Sequence, residues 1–160
     1  MALIDPPVAA GRWSPSGDEN GDVSYGPPLL RLIGRVESPL VDPGSAPRQG
    51  DEGAPDAWLV LEPSVEPAMR NLAVGDEVLV LTWLDRADRE TLAVHPRNDA
   101  SRPIEGVFST RSADRPNPIG LHRVQILAID GTRLQVRNLE AVDGTPVLDI
   151  KPVLGGVADR

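Results

Sequence analysis

The sequence predicts a mainly β protein in which a single antiparallel sheet curls into a barrel with one or two short helices. Apolar segments of strand length follow one another without the strand–helix rhythm of a parallel sheet. Residues 124–129 and 134–139 flank Asp130-Gly131, a dipeptide typical of a type I′ hairpin turn. The 160 residues include 17 prolines and 15 glycines, which indicates a loop-rich chain around one core.

The first third of the predicted domain contains two strands and the clearest helix. The first strand begins at Leu29 and stops at Pro39. Residues 42–56 are rich in Pro and Gly and form a loop, after which residues 57–61 form the second strand. Residues 63–72 are the only plausible helix, because their apolar side chains recur at helical spacing.

The middle of the chain alternates between apolar and loop-like segments. Residues 75–84 are a nearly continuous apolar run, so we expect a central strand that is buried on both faces. Residues 85–105 are charged and loop-like. Residues 106–120 indicate a strand, a rigid loop and a strand, because their prolines and glycines exclude a helix.

Residues 29–155 form the predicted domain, between two tails. Residues 1–28 carry prolines and acidic residues without periodicity, so we expect a disordered or loosely docked segment, and residues 156–160 form a C-terminal tail. The chain shows no apolar run of membrane length and no signal-peptide pattern, so we expect a soluble cytoplasmic protein. With no cysteine and two histidines, neither a disulfide nor a metal site is expected.

The net charge of −8 is unlike that of most nucleic-acid binders, which neutralise phosphates with Lys and Arg. Residues 95–123, in contrast, carry more basic than acidic side chains. An anionic ligand group near this segment is one interpretation, and scattered solvated arginines are the other. The arginines concerned are Arg97, Arg102, Arg111, Arg115 and Arg123.

Arg115 and Asn117 each precede a proline, which disfavours helical geometry and favours an extended backbone. Residues two apart in an extended segment project to the same side. We therefore expect both side chains to face one place, such as a bound substrate. A stiff surface loop explains the same pattern about equally well.

Two long motifs carry a family resemblance. The sequence lacks a Gly-x-Gly-x-x-Gly turn between a strand and a helix, which makes a Rossmann site unlikely. Residues 106–121 and 143–152, with 33–39 and 47–49, closely resemble the signature of the TsaA-like family. That resemblance implies a β-barrel that binds S-adenosylmethionine, often as a homodimer. It also implies methylation of N6 of threonylcarbamoyladenosine at position 37 of tRNA.

The same resemblance implies a set of cofactor contacts. Arg48 or Arg111 would hold the carboxylate of S-adenosylmethionine by paired hydrogen bonds, and Asp143 would suit its cationic or hydroxyl groups. The alternative for residues 143–146 is a plain turn. The implied cofactor-binding residues are Pro47, Arg48, Gln49, Glu77, Val78, Arg111, Leu121, Asp143, Gly144, Thr145 and Pro146.

Methyl transfer requires the acceptor in line with the sulfur–methyl bond, and a carbamoylated N6 must also lose its proton. Candidate bases are Asp149, Asp143 and His122. Arg115, Asn117 and Lys151 are the candidate substrate-binding residues.

The chain departs from the TsaA-like pattern at Glu77, where the family has His, at His122, where Ser or Thr is frequent, and at Val153, where Tyr is common. Two other functions therefore remain open beside the tRNA enzyme. One is a methyltransferase for a small-molecule acceptor, and the other is a non-catalytic S-adenosylmethionine-binding module. A basic rim around the pocket favours tRNA, whereas a small closed pocket favours the small acceptor.

Overall fold

The computed structural model describes residues 16–17, 23–24 and 29–155. The predicted tails lie outside the described residues, apart from two short strands. The described residues up to 31 belong to one unit, and those from 32 to 155 belong to another. In the first unit, β1 (Ser16–Gly17) pairs antiparallel with β2 (Val23–Ser24).

The strands of the second unit are β3 (Gly34–Glu37), β4 (Ala57–Leu61), β5 (Glu77–Trp83), β6 (Ala93–Val94), β7 (Glu105–Gly106), β8 (Ile119–Asp130), β9 (Arg133–Val136) and β10 (Pro146–Pro152). Six of them form a closed antiparallel barrel in the order β10-β3-β4-β9-β8-β5, with β10 pairing back onto β5. The mainly β architecture predicted from the sequence is thereby confirmed. A separate two-stranded ribbon, β6–β7, lies in the connection between β5 and β8.

Strand β5 corrects the expectation of burial on both faces. Val78, Val80 and Thr82 are buried inside the barrel, whereas the alternate residues Leu79 and Leu81 are only half-buried. The strand is central, since it pairs with β8 on one side and β10 on the other. A curled sheet has one interior, so the outward residues of an apolar strand remain partly open to solvent.

The helices of the described residues are all short and of the 3₁₀ type. The predicted helix is present at Pro63–Met69, with Pro67 inside it. The other three are Gly50–Glu52, Pro96–Asn98 and Val107–Ser109. Proline removes a backbone donor and opposes an α-helix, which explains why the apolar spacing at 63–72 produces a tighter and shorter element.

The hairpin of β8 and β9 is present, but its turn differs from the expected one. Asp130 pairs with Arg133, so the two loop residues are Gly131 and Thr132. Of these two loop residues, Gly131 has a positive φ, of 56°, and Thr132 does not. A type I′ turn needs positive φ at both central residues, so that prediction is wrong.

We expect the inward residues to dominate stability, and β8 offers a matched pair for the test. Ile126 is fully buried, whereas Ile129 on the same strand is 38% exposed. Ile126→Ala should lower the free energy of unfolding by about 2–5 kcal/mol, because it leaves a cavity. Ile129→Ala should cost clearly less. Urea denaturation measures both, and equal losses would contradict the assignment of the core.

Candidate functional site

A groove of about 570 Å³ lies on the outer side of the barrel, beside β5 and β8. Its size is within the range of about 300–1,000 Å³ that small-molecule sites occupy. Its walls come from these two strands, from the 3₁₀ turn at 50–52 and from the segment after β9. The lining residues are Gln49, Gly50, Asp51, Glu77, Leu79, Arg111, Leu121, Arg123, Val124, Gln125, Arg137, Asn138 and Glu140.

Strand alternation produces the apolar floor of the groove and its charged edge. Leu121 of β8 lies opposite Leu81 of β5, and the next outward pair is Arg123 opposite Leu79. Leu79 and Leu121 are both incompletely buried. Because outward residues recur every second position, the same two strands bring apolar side chains and charges to one face.

The cations of the groove differ in whether they have a partner. Arg123 donates from Nη2 to Oε2 of Glu77 over 2.6 Å, and this hydrogen bond, assisted by the charge of Glu77, raises the pKa of Arg123. Among the described residues, the guanidinium groups of Arg111 and Arg137 have neither a hydrogen bond nor an ion pair. These two arginines are therefore available to an anionic ligand group.

A buried hydrogen-bonded chain reaches the groove from inside the barrel. Nδ1 of His122 lies 2.8 Å from Oε1 of Glu140, and Nε2 lies 2.9 Å from Oγ1 of Thr82. A carboxylate only accepts, so Nδ1 carries the hydrogen and donates it to Glu140. In the neutral ring, Nε2 then accepts from the Thr82 hydroxyl. The chain Thr82–His122–Glu140 thus connects a buried strand residue to the groove wall.

Gly120 makes room for this chain. A Cβ at residue 120 would lie 2.3 Å from Oγ1 of Thr82 and 2.6 Å from Nε2 of His122. Both distances are far shorter than a carbon atom tolerates, so a side chain at this position would break or displace the hydrogen bond.

Some of the predicted cofactor-binding residues line the groove, and others lie elsewhere in the structure. Gln49, Glu77, Arg111 and Leu121 line the groove together. Three others do not line it: Val78 is buried inside the barrel, Pro47 is half-buried and Arg48 is exposed.

Residues 143–146 also lie outside the groove lining. Residues 143–145 form a turn that leads into β10 at Pro146. Oδ1 of Asp143 accepts from the backbone N–H of Ser38, and the hydroxyl of Thr145 donates to the carbonyl of Val142. Gly144 has φ of 80° and donates its N–H to the carbonyl of Val36. These contacts match the plain-turn interpretation of the segment.

The predicted bases and substrate residues are mostly engaged elsewhere. Asp149 forms an ion pair with Lys151, whose Nζ lies 2.8 Å from its Oδ2. Arg115 donates three hydrogen bonds to the carbonyls of its own loop, so its guanidinium group helps to hold the loop in shape. The shared orientation of Arg115 and Asn117 towards a substrate stays a prediction. Asn117 itself is exposed.

Sequence reasoning missed Thr82, Arg137 and Glu140. Thr82 had a signal, since it is the polar residue within an apolar strand and a buried hydroxyl needs a partner. Glu140 lies only three residues before the second motif. Its pairing with His122 joins the loop after β9 to strand β8, a contact that spacing along the chain does not reveal.

Within the part of the chain that the structure describes, no helix is long and apolar enough to cross a membrane. The same residues contain no group of three or more metal-ligating side chains.

Comparisons with known proteins agree on one family. Residues 35–158 match the tRNA-methyltransferase O N-terminal domain. Two relatives from Archaeoglobus fulgidus, an S-adenosyl-L-methionine-binding protein and a probable one, are 40% and 42% identical over 77% of this chain. The match covers 87% of the first relative but 33% of the second. A crystal structure of TrmO from Pseudomonas aeruginosa is 29% identical, with a TM-score of 0.66 over 81% of this chain and 57% of that one.

The close approach at Gly120 leads to a stability prediction. Gly120→Ala should destabilise the protein by roughly 1–3 kcal/mol, because the added methyl group overpacks the Thr82–His122 contact. Gly106→Ala is the control, since its Cβ would meet only one atom, at 4.0 Å. Thermal melting compares the two variants, and an unchanged midpoint for Gly120→Ala would refute the crowding.

Proposed function

Because the chain belongs to the family of tRNA-methyltransferase O N-terminal domains, we propose that it is an S-adenosylmethionine-dependent methyltransferase acting on tRNA. The acceptor in this proposal is N6 of threonylcarbamoyladenosine at position 37. One observation carries the cofactor site: four residues that the family resemblance implies, from three separate segments of the chain, line a single groove. They are Gln49, Glu77, Arg111 and Leu121.

The groove offers what each part of S-adenosylmethionine requires. Leu79 and Leu121 provide an apolar surface for the adenine ring, and the unpaired guanidinium of Arg111 provides donors for the carboxylate. Carboxylates on the wall lower the energy of the cationic sulfonium and ammonium groups. The side-chain amide of Gln49 serves as a donor or acceptor for hydroxyl groups.

Positioning is the main source of acceleration in this proposal. His122 is 5% exposed and uses both ring nitrogens, Asp149 is paired with Lys151, and Asp143 accepts from Ser38. None of the three predicted bases is therefore free in the groove. Alignment of the acceptor with the methyl group supplies the acceleration instead, and the proton that N6 loses on forming the N–CH3 bond passes to solvent water as S-adenosylhomocysteine is released.

We propose a homodimer, in which a second copy covers the exposed apolar ribbon of β6 and β7. Leu92, Ile104 and Phe108 flank this ribbon, and Phe108 is 84% exposed. The backbone N–H of Val107 donates to the carbonyl of Leu92, which holds the two sides of the ribbon together. Contiguous exposed apolar side chains favour an interface. A dimer would also bring two sets of arginines to one tRNA. With tRNA as its substrate, the enzyme would act in the cytoplasm.

The second candidate is a non-catalytic S-adenosylmethionine-binding module. It is favoured by the engagement of all three predicted bases and by the relatives named as binding proteins. In that case the protein would bind the cofactor without transferring its methyl group.

We expect Arg111→Ala to weaken binding of S-adenosylmethionine by roughly 1.5–3 kcal/mol, the worth of a hydrogen bond to a charged group. Arg102→Ala is a matched control, because Arg102 is exposed and does not line the groove. Isothermal titration calorimetry measures both. Normal binding by Arg111→Ala would remove this residue from the site, and no binding by the unmodified protein would refute the proposal.

We expect labelled methyl transfer to tRNA that carries threonylcarbamoyladenosine but lacks the methyl group. Nucleoside mass spectrometry identifies the product. The rate should fall steeply with salt, because phosphate contacts release counterions. Light scattering should show a dimer. Binding of the cofactor without transfer to this tRNA would favour the binding module, and a monomer at micromolar concentration would refute the dimer.

A further inference from the structure

The carboxylate of Glu140 lines the groove and forms no ion pair with a Lys or Arg of the described residues. Its partner is His122. Glu77, the other glutamate of the lining, is occupied by Arg123. Oε2 of Glu140 makes no hydrogen bond within the described part of the chain, whereas Oε1 accepts from His122. Oε1 of Glu140 is therefore held by His122, and Oε2 is available to a ligand.

The support behind Glu140 is built into the barrel. His122 is 5% exposed, and its second nitrogen is held by Thr82, which is fully buried. Gly120 lacks the side chain that would occupy this space. A flexible carboxylate loses rotamer entropy when it binds a ligand, and a carboxylate that is already held loses less. The chain of hydrogen bonds thus prepares Glu140 for a contact.

The neighbouring charges identify the group that Glu140 suits. Arg111 and Arg137 line the same groove without partners and are donors for a carboxylate. In an α-amino acid, the ammonium and the carboxylate are bonded to one carbon, so a site for this pair needs an anion near its arginines. Glu140 supplies that anion, only three residues from Arg137.

We propose that Glu140 binds the α-ammonium group of the methionine half of S-adenosylmethionine, and that His122, held by Thr82, is its positioning residue. This inference rests on the proposed function. Glu140 is then a specificity residue for the amino-acid end of the cofactor, and Arg111 and Arg137 are its counterparts for the carboxylate.

The test of Glu140 compares ligands that carry or lack the ammonium. Glu140→Gln keeps the size of the side chain and removes its charge. Affinities for S-adenosylmethionine, S-adenosylhomocysteine and decarboxylated S-adenosylmethionine, which all carry the ammonium, should fall roughly tenfold to a hundredfold. Affinity for 5′-methylthioadenosine, which lacks it, should stay unchanged. Glu66→Gln is the control, because it makes the same chemical change at an exposed residue that does not line the groove.

Each result of this calorimetry has a definite meaning. A loss confined to S-adenosylmethionine and its decarboxylated form would place Glu140 at the sulfonium and overturn the proposal. Equal losses for all four ligands, or no loss at all, would also overturn it. If the unmodified protein binds none of the ligands, the proposed function itself fails, which is a distinguishable outcome.

The role of His122 is tested by a double-mutant cycle. His122→Phe, which keeps a ring but has no donor, should weaken binding of S-adenosylmethionine, but it should add nothing in the Glu140→Gln background, because His122 acts through that carboxylate. His122→Asn, whose amide nitrogen takes the position of Nδ1 and can donate to Glu140, should recover part of the affinity. Additive losses would show that His122 is merely structural and would overturn its positioning role. Thermal melting confirms that each variant is folded, and Glu140→Gln tests the ammonium contact even if the His122 variants fail to fold.

Discussion

The site depends on the strict alternation of side chains in the paired strands β5 and β8. Each residue that points into the barrel is followed by one that points to the groove, so Thr82 and His122 lie inside while Leu79 and Leu121 lie outside. The two sets cannot exchange places without turning the apolar core outward. Alternation therefore couples the buried hydrogen-bonded chain to the ligand-facing surface, although the two face opposite sides of one sheet.

Local signals in the sequence were sufficient for most of the elements. The β8–β9 hairpin and the short helix at 63–69 follow from turn chemistry and spacing within a few residues. The burial of β5 on both faces was wrong because an apolar run does not reveal whether its sheet is flat and covered or curled and open. The exact turn at Gly131 depended on pairing register, which the dipeptide alone does not specify.

The candidate site was predictable only in part, for a related reason. Gln49, Arg111 and Leu121 were identified through motifs and Glu77 through an aligned family strand, and all four come together in the groove. Residues 143–146 belong to an equally characteristic motif, yet their polar groups fix a turn against the segment 36–38. A motif marks residues under constraint, and the constraint can be the geometry of the chain as well as a ligand. The contact between His122 and Glu140 joins residues that are distant in the sequence, so the spacing of residues along the chain does not predict it.

The hydrogen bond between Thr82 and His122 also has a consequence for how the barrel assembles. A slip of β8 against β5 by two residues would preserve the inside–outside pattern, so hydrophobic burial alone discriminates poorly against it. A slip that places Pro118 opposite Thr82 would separate Thr82 from His122 and leave two polar groups unpaired in an apolar interior, at a cost of about 1–3 kcal/mol for each. It would also carry Gly120, the residue without a side chain, away from the place opposite Thr82. The Thr82–His122 contact thus specifies the register of β8 against β5, because burial of the aliphatic residues is compatible with more than one alignment.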